Sequence, residues 1–343
     1  MRTMLNTLFI TSENVYLALE NENIVAIKPD DTKTKIPLRS IEQILCFSYK
    51  GASPSLMGKC AEMGVALSFY SPRGRYRCSI LGENNRNVLL RREQYRIADD
   101  EARSLPIASS FIAGKIYNAK WVLERTKRDH AMRVNVERIA NQSRQLSETL
   151  RIVMQSGSID ELRGVEGKAA KDYFLAFDDM ILTRKDDFYF EQRSRRPPLD
   201  RMNALLSFSY AMLRGDCMAA LQGVGLDPYV GFMHVDRPGR PSLALDLMEE
   251  LRPALSDRFA LTLVNKGIIT EDDFEQQENG GVLTTEKGRK KVLEAWQQRK
   301  QEQITHPYLQ EKLPWGLVPY VQAMLLARCV RGDLDAYPAF LWK

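Results

Sequence analysis

Along roughly the first 80 residues, short apolar stretches alternate with polar breaks. TLFIT, VYLALE, IVAIKP and IPLRSIEQILCF carry β-branched and aromatic residues between Asn, Asp and Lys turns, a pattern that predicts strands. SPSLMGKCAEM (53–63) reads as an intervening helix, followed by a strand over 65–70, a turn at SPRGR and a returning strand in RYRCSILG. Strands this short suggest a small sandwich or a curled sheet.

After Gly82 the pattern changes. Residues 86–100 are polar and charged and read as a linker or a transitional helix. From about Leu105 the helical period dominates. Phe111, Ile112, Ile116, Val122 and Leu123 form one stripe, with Lys115, Lys120 and Arg125 displaced from it. A second helix carries Val136, Ile139, Leu146 and Leu150, and a third starts near Ile159. RRPPLD cannot be helical, because proline disfavours helix in the residue before it; Asp200 can then cap RMNALLSFSYAML. FEQQENGGVLTT (274–285) reads as a hairpin with a Gly-Gly turn, and helices are expected near 285–300 and 316–330. The expected fold is α+β: a small β-sandwich-like domain over 1–85, a linker over 86–104 and a larger all-α domain over 105–343.

Composition narrows the class. The chain has 343 residues, 44% hydrophobic and 27% charged, enough for two cores. No apolar run approaches the roughly 20 residues that span a bilayer, and the N-terminus lacks a small-residue cleavage site, so neither a membrane anchor nor a signal peptide is expected. The five cysteines are widely spaced without a CxxC pair; Cys46, Cys60 and Cys329 lie in apolar surroundings and read as buried thiols of a cytoplasmic protein. A net charge of +5 is compatible with nucleic acid without demonstrating it. Distribution says more. Arg and Lys cluster at 86–96, 124–133, 193–196 and 288–291, which favours a polyanionic partner over four unrelated solvated faces.

The candidate chemistry is concentrated in GFMHVDRPGRPSLALDLMEELRP (231–253). His234 precedes a short loop, and a helical run then carries Asp246, Glu249 and Glu250 at spacings of three and four, on one side of a helix. Such spacing marks either a solvated acidic face or ligands for a divalent cation, and mixed imidazole and carboxylate donors lean toward Mg²⁺ or Mn²⁺. The helix looks well anchored: Ser242 can cap it, Pro253 can stop it, and Leu243, Leu247 and Leu251 give it a buried stripe. Upstream, Glu166 lies between two glycines in GVEGKAAKDYF. That is either a helix first turn favoured by the macrodipole or a carboxylate approached closely by backbone or ligand.

GVEGKAAKDYF, RSRRPPLDRMNALLSFSYAML and GFMHVDRPGRPSLALDLMEELRP occur in this order, and together they resemble the CRISPR spacer-acquisition integrase, the first of the CRISPR-associated proteins. The resemblance covers essentially the whole chain. GASPSLMGKCAEMGVALSFYSPRGR and NVLLRREQYRIADD are similar to the branch of I-C-type systems.

The resemblance implies that the helical domain is catalytic and binds one divalent cation, Mg²⁺ or Mn²⁺, through Glu166, His234 and Glu249. Asp246 matches a further acidic position near the metal, and some relatives have Asp where Glu249 stands. Glu250 matches no family role and reads as a solvated neighbour. Arg237 and Arg252 match basic positions that face DNA, with Arg195 and Arg196 as further DNA-binding candidates or a solvated turn. Implied partners are double-stranded DNA (prespacer and CRISPR repeat), a second copy in a homodimer, and a dimer of the second CRISPR-associated protein. The implied reaction is attack of a DNA 3′-hydroxyl on a phosphodiester, which needs a Lewis acid on the scissile phosphate. His234 would serve as neutral imidazole, so activity should fall at acid pH.

Two rivals share these residues. One is a structure-selective nuclease of branched DNA, with water replacing the sugar hydroxyl. The other is a non-catalytic DNA-binding assembly protein whose metal only stabilises the fold. His130 and His306 have no carboxylates at informative spacing, and the four tryptophans read as helix anchors.

Overall fold

The computed structural model describes residues 7–10, 12–41, 43–71, 76–80 and 88–343. Its N-terminal part is built on two sheets. β2 (Tyr16–Glu20), β3 (Asn23–Ile27) and β4 (Lys33–Pro37) form an antiparallel sheet. Asn21 and Glu22 turn between β2 and β3 with φ of 47° and 58°, the left-handed pair that a two-residue hairpin requires. β1 (Thr7–Ile10), β5 (Gln43–Cys46), β6 (Ala66–Tyr70) and β7 (Tyr76–Ile80) form a second sheet in the order β1-β5-β6-β7, parallel except for the last pair. The parallel β5–β6 step needs a crossover, and α1 (Pro54–Met63) supplies it. Ser53 caps α1 by accepting from Leu56 N, and Gly64 ends it at φ 70°. Leu17 and Ile24 from one sheet, Ile44 and Leu67 from the other, and Leu56 and Cys60 from α1 close one small core. Most of the turn expected at SPRGR lies outside the described residues.

The linker expected over 86–104 is corrected from residue 88 on, where the transitional helix is what forms; residues 86 and 87 lie outside the described residues. α2 (Val88–Ala98) carries Leu90, Gln94 and Ile97 on a buried stripe despite its charged sequence. The Gln94 amide donates to Asp227 O and Val230 O and accepts from Asp227 N, which ties α2 to the loop leading to His234. Asp100 caps α3 (Glu101–Asp129), which starts before the expected Leu105.

α3 is the axis of the helical part, roughly 40 Å long. Its stripe residues Phe111, Ile112, Ile116, Val122 and Leu123 are all buried. Against it lie α4 (Val136–Val153), α5 (Ile159–Leu175) and α7 (Ser242–Leu251), with α6 (Arg201–Gly223), capped by Asp200, behind α7. Pro253 does not stop α7, as the sequence suggested. A π-helical turn over 252–257 carries the chain on into α8 (Arg258–Asn265); the widened turn accommodates the proline, which has no N–H to donate.

The helical part is not all-α. β8 (Phe274–Gln276) pairs with β9 (Val282–Thr284) in the expected hairpin. After α9 (Glu286–Gln301), β10 (Gln303–Thr305) pairs with β11 (Lys312–Pro314), ahead of α10 (Val318–Arg331). Leu45, Phe47 and Tyr70 join the helical core, so the N-terminal sheet packs directly on the helices. Among the described residues no helix is long and apolar enough to cross a membrane. Cys46, Cys60 and Cys217 are buried, whereas Cys329 is only half-buried, short of the expectation for it.

A candidate metal centre between three helices

Asp246 organises the loop that holds His234. Its side chain is fully buried on α7 and accepts from the backbone N–H groups of Phe232, Met233 and His234 at 2.7, 3.0 and 3.0 Å. It also meets His234 Nδ1 at 2.5 Å. Surrounded by donors, the carboxylate only accepts, so Nδ1 carries the ring proton and Nε2 presents its lone pair outward. Gly231 permits this wrapping: a Cβ there would sit 2.8 Å from Asp246 Oδ2. Asp246 is thus placed to position His234.

Glu249, one turn on, faces the same way as Nε2. His234 Nε2 is 3.9 Å from Glu249 Oε1, Arg252 Nη1 is 2.5 Å from Oε1, and Lys115 Nζ is 2.7 Å from Oε2. Lys115 Nζ also pairs with Glu166 Oε1. Two carboxylates from α5 and α7 therefore share one ammonium from α3, beside an imidazole nitrogen. Burial raises the Glu249 carboxyl, but the charges of Arg252 and Lys115, joined by His234 when that ring is protonated, outweigh it and hold it at about 2.

Glu166 sits in the middle of α5, not in a first turn. Its flanking glycines do not answer a close approach by protein: a Cβ on Gly164 or Gly167 would meet nothing within 4 Å, so they leave open space beside the carboxylate.

Lys115 was the residue that spacing could not assign. The signal lay next to it. A Cβ on Gly114 would sit 2.8 Å from Glu250 Cβ, so the glycine lets α3 and α7 come close enough for Lys115 to reach Glu249.

Glu250 is not a solvated neighbour. It is fully buried, because α7 is covered on its far side as well. It accepts from Tyr337 OH at 2.5 Å, Phe340 N at 2.6 Å and Gln322 Nε2 at 2.9 Å. Burial raises its carboxyl to about 7, because these uncharged donors lower it too little to offset the desolvation. Ser242 does not cap α7 either; it is the first helical residue, and its hydroxyl donates to Val235 O.

Arg252 does not stand free as a phosphate clamp. Its i, i+3 spacing from Glu249 commits it to that carboxylate, and its guanidinium lies 5.2 Å from the Tyr210 ring centroid. Arg195, Arg196 and Arg237 are exposed and make no ion pair among the described residues. Arg195 also lines a cavity of about 40 Å³ with Lys115, Glu166, Arg193, Tyr210 and Arg252, room for little more than a water or an ion. His130 ends α3 and His306 is buried against Gln322, both outside the centre.

Among the described residues, no three His, Cys, Asp or Glu side chains already stand in ligating positions. The donor chemistry nevertheless fits a divalent ion. Glu166 and Glu249 already require a cation between them, and His234 offers a neutral nitrogen at its edge.

A β-rich N-terminal part packed on a helical part, with a carboxylate–imidazole centre among three helices, defines a class of protein met elsewhere. The family model described as CRISPR associated protein Cas1 matches residues 8–298. CRISPR-associated endonuclease Cas1 1 of Chlorobaculum tepidum is 46% identical over 343 residues, covering all of both chains. A casposase bound to integration product has the same fold, with a TM-score of 0.84 at 21% identity over 99% of this chain and 95% of that one. A chain of a Cas6-RT-Cas1–Cas2 complex matches with a TM-score of 0.82 at 22% identity, over all of this chain and 36% of that one. The chain belongs to the Cas1 family.

Proposed function

We propose that this chain is a metal-dependent DNA integrase that inserts short DNA segments into a CRISPR array by transesterification. The observation that carries the reading is the single cation shared by Glu166 and Glu249 beside His234 Nε2. Glu166, Glu249 and His234 would hold Mg²⁺ or Mn²⁺. When bound, the ion supplies Lewis-acid neutralisation of charge at the scissile phosphate and the leaving oxygen.

The chain's own residues do the rest. Asp246 fixes the ring of His234 and keeps its proton on Nδ1. Lys115 and Arg252 offset the charge of the carboxylates and keep Glu166 and Glu249 together. Exposed Arg195, Arg196 and Arg237 contact the DNA backbone, where the guanidinium fork suits phosphate. A 3′-oxygen forms a new bond to phosphorus as the bridging phosphorus–oxygen bond of the target breaks; the attacking hydroxyl's proton leaves to solvent, and the released oxygen takes one up to become a hydroxyl.

The proposed partners are prespacer and repeat DNA, a second copy of this chain, and a Cas2 dimer between two such pairs; the casposase bound to integration product supports DNA, and the complex that includes Cas2 supports Cas2. The name endonuclease carried by the Chlorobaculum relative supports hydrolysis at the same centre as the second reading.

The test incubates the purified chain with Mn²⁺ and a branched DNA that mimics a half-integrated intermediate, beside Glu166→Ala and His234→Ala. Strands rejoined by the wild type alone, with both variants still binding DNA, support the integrase. Strands only shortened establish the nuclease. Variants as active as the wild type would displace the centre from these residues, and a wild type that binds but leaves every strand intact favours the assembly protein.

A further inference from the structure

A second cationic site lies along α3, away from the carboxylates. Arg125 near the end of α3, Arg258 at the start of α8 and Arg299 near the end of α9 line one surface cleft of about 500 Å³, with Trp315 and Trp342. The guanidinium carbons of Arg125 and Arg258 lie 3.9 and 4.2 Å from the centroid of the same indole, Trp342. That of Arg299 lies 4.9 Å from Trp315, whose ring centroid is 6.4 Å from that of Trp342. Glu302 also lines the cleft, and it is already bonded to Arg299. Arg125 donates to Lys343 O. The Arg258 guanidinium makes no hydrogen bond and no ion pair among the described residues, although the residue is half-buried.

Glu302 and the O of Lys343 engage Arg299 and Arg125, and the third guanidinium, that of Arg258, is left repelled by its neighbours unless a further anion joins them. Burial, then Arg299 and Arg125, lower the Arg258 pKa to about 9, the direction that such crowding produces. The indoles of Trp342 and Trp315 hold the three guanidiniums in place, and the Arg258 side chain keeps its N–H groups for a ligand. Planar cations on aromatic platforms suit the phosphates of a nucleic-acid strand.

We propose that this cleft is a second phosphate-binding site, taking a backbone phosphate of the DNA that the chain acts on. Lys115 and Arg125 are ten residues apart on one helix, about 15 Å along its axis. That is about four nucleotides of stacked strand from the carboxylate centre. The DNA part of the proposal rests on the function proposed above; the anion site does not.

Two measurements on the full chain separate them. Thermal unfolding with inorganic pyrophosphate tests the anion site alone. The wild-type midpoint should rise, and Arg258→Gln should lose most of that rise while unfolding at a similar midpoint without the anion. Arg258→Lys, which keeps the charge but not the fork, should retain part of it. An equal rise in wild type and Arg258→Gln overturns the site. Fluorescence anisotropy with a labelled branched DNA, titrated over salt, then tests the ligand. Arg258→Gln should weaken binding about tenfold and lower the slope of log K against log salt by about 1. A pyrophosphate effect with unchanged DNA affinity and slope keeps the anion site and overturns its assignment to DNA. A wild type that binds no DNA counts against the function proposed above and against that assignment, and leaves the pyrophosphate result standing.

Discussion

Glu249 and Glu250 are adjacent on one helix, carry the same side chain and are both buried, yet the fold treats them in opposite ways. Burial raises both carboxyls. Glu249 faces Arg252 and Lys115, whose charges, with that of His234 once protonated, overcome burial and hold it at about 2. Glu250 faces α10 and the C-terminal tail, where Tyr337, Gln322 and Phe340 N offer hydrogen bonds without charge, and it rises to about 7. Full positive charges offset the desolvation of a carboxylate; neutral donors do so only in part. One face of α7 is therefore an electrostatic centre that can take a cation. The other locks the tail in place, helped by Asn118, which bonds Glu250 O, Phe340 O and Trp342 N.

The largest expected effect breaks the first face alone. Glu166→Gln should lower strand joining by about 10²–10³-fold, the range seen when one charge-stabilising group is lost. Its unfolding midpoint without DNA should stay near that of the wild type, since Glu166 keeps partial exposure. Joining within threefold of the wild type would remove Glu166 from the reaction.

A matched pair then sets the two faces against each other. Glu249→Gln leaves the Arg252 guanidinium without its carboxylate and Lys115 with Glu166 alone, and should cost about 3 kcal/mol of stability. Glu250→Gln substitutes one uncharged group into a pocket without cations and should cost about 1 kcal/mol. Equal losses in urea unfolding would show that charge environment does not separate the two.

Gly114 serves both faces, because it sets the approach of α3 to α7. Gly114→Ala should cost about 1–3 kcal/mol through overpacking and should also weaken Mn²⁺ binding in calorimetry. A stability loss with unchanged Mn²⁺ affinity would separate the helix spacing from the centre.

Lys115→Met leaves Glu166 and Glu249 facing each other without their shared ammonium. The metal-free midpoint should fall and the rise on adding Mn²⁺ should grow, because the ion then replaces a missing charge. An unchanged Mn²⁺ shift would mean that lysine and ion do not share the position.

The smallest effect lies beneath the tail. His306 accepts Leu309 N on Nδ1 and so donates from Nε2 to Gln322 Oε1, the neutral tautomer. Burial lowers its pKa below 6.5. The folded state thus binds this proton less readily than the unfolded chain, and the resulting stability is complete above 6.5 and lost as pH falls below it. The difference in unfolding free energy between wild type and His306→Gln should shrink from pH ~7.5 to ~5.5. A constant difference would remove His306 as the source.

Local rules carried much of the fold. Ser53 and Asp200 cap the helices after them, the Phe111 to Leu123 stripe is buried, and the hairpin near 280 forms, because each depends on backbone geometry within a few residues. They failed where a distant segment intervened. They left the charged stretch after residue 88 open between linker and helix, and the helix forms with Gln94 bonded to backbone more than 130 residues away. Pro253 does not stop its helix because the π-turn carries the chain on into α8.

The ligand types in the centre were legible for the same reason: Asp246, Glu249 and the loop before them lie close together in the chain, and helical spacing faces them one way. Lys115 between the carboxylates, Arg252 turned onto Glu249, and Glu250 closed beneath the tail were decided only when α3, α5, α7 and the C-terminal segment packed together. Periodicity tells which side chains share a face. Whether that face meets water, a cation or an uncharged donor depends on what covers it, and for a buried carboxylate that cover sets its charge.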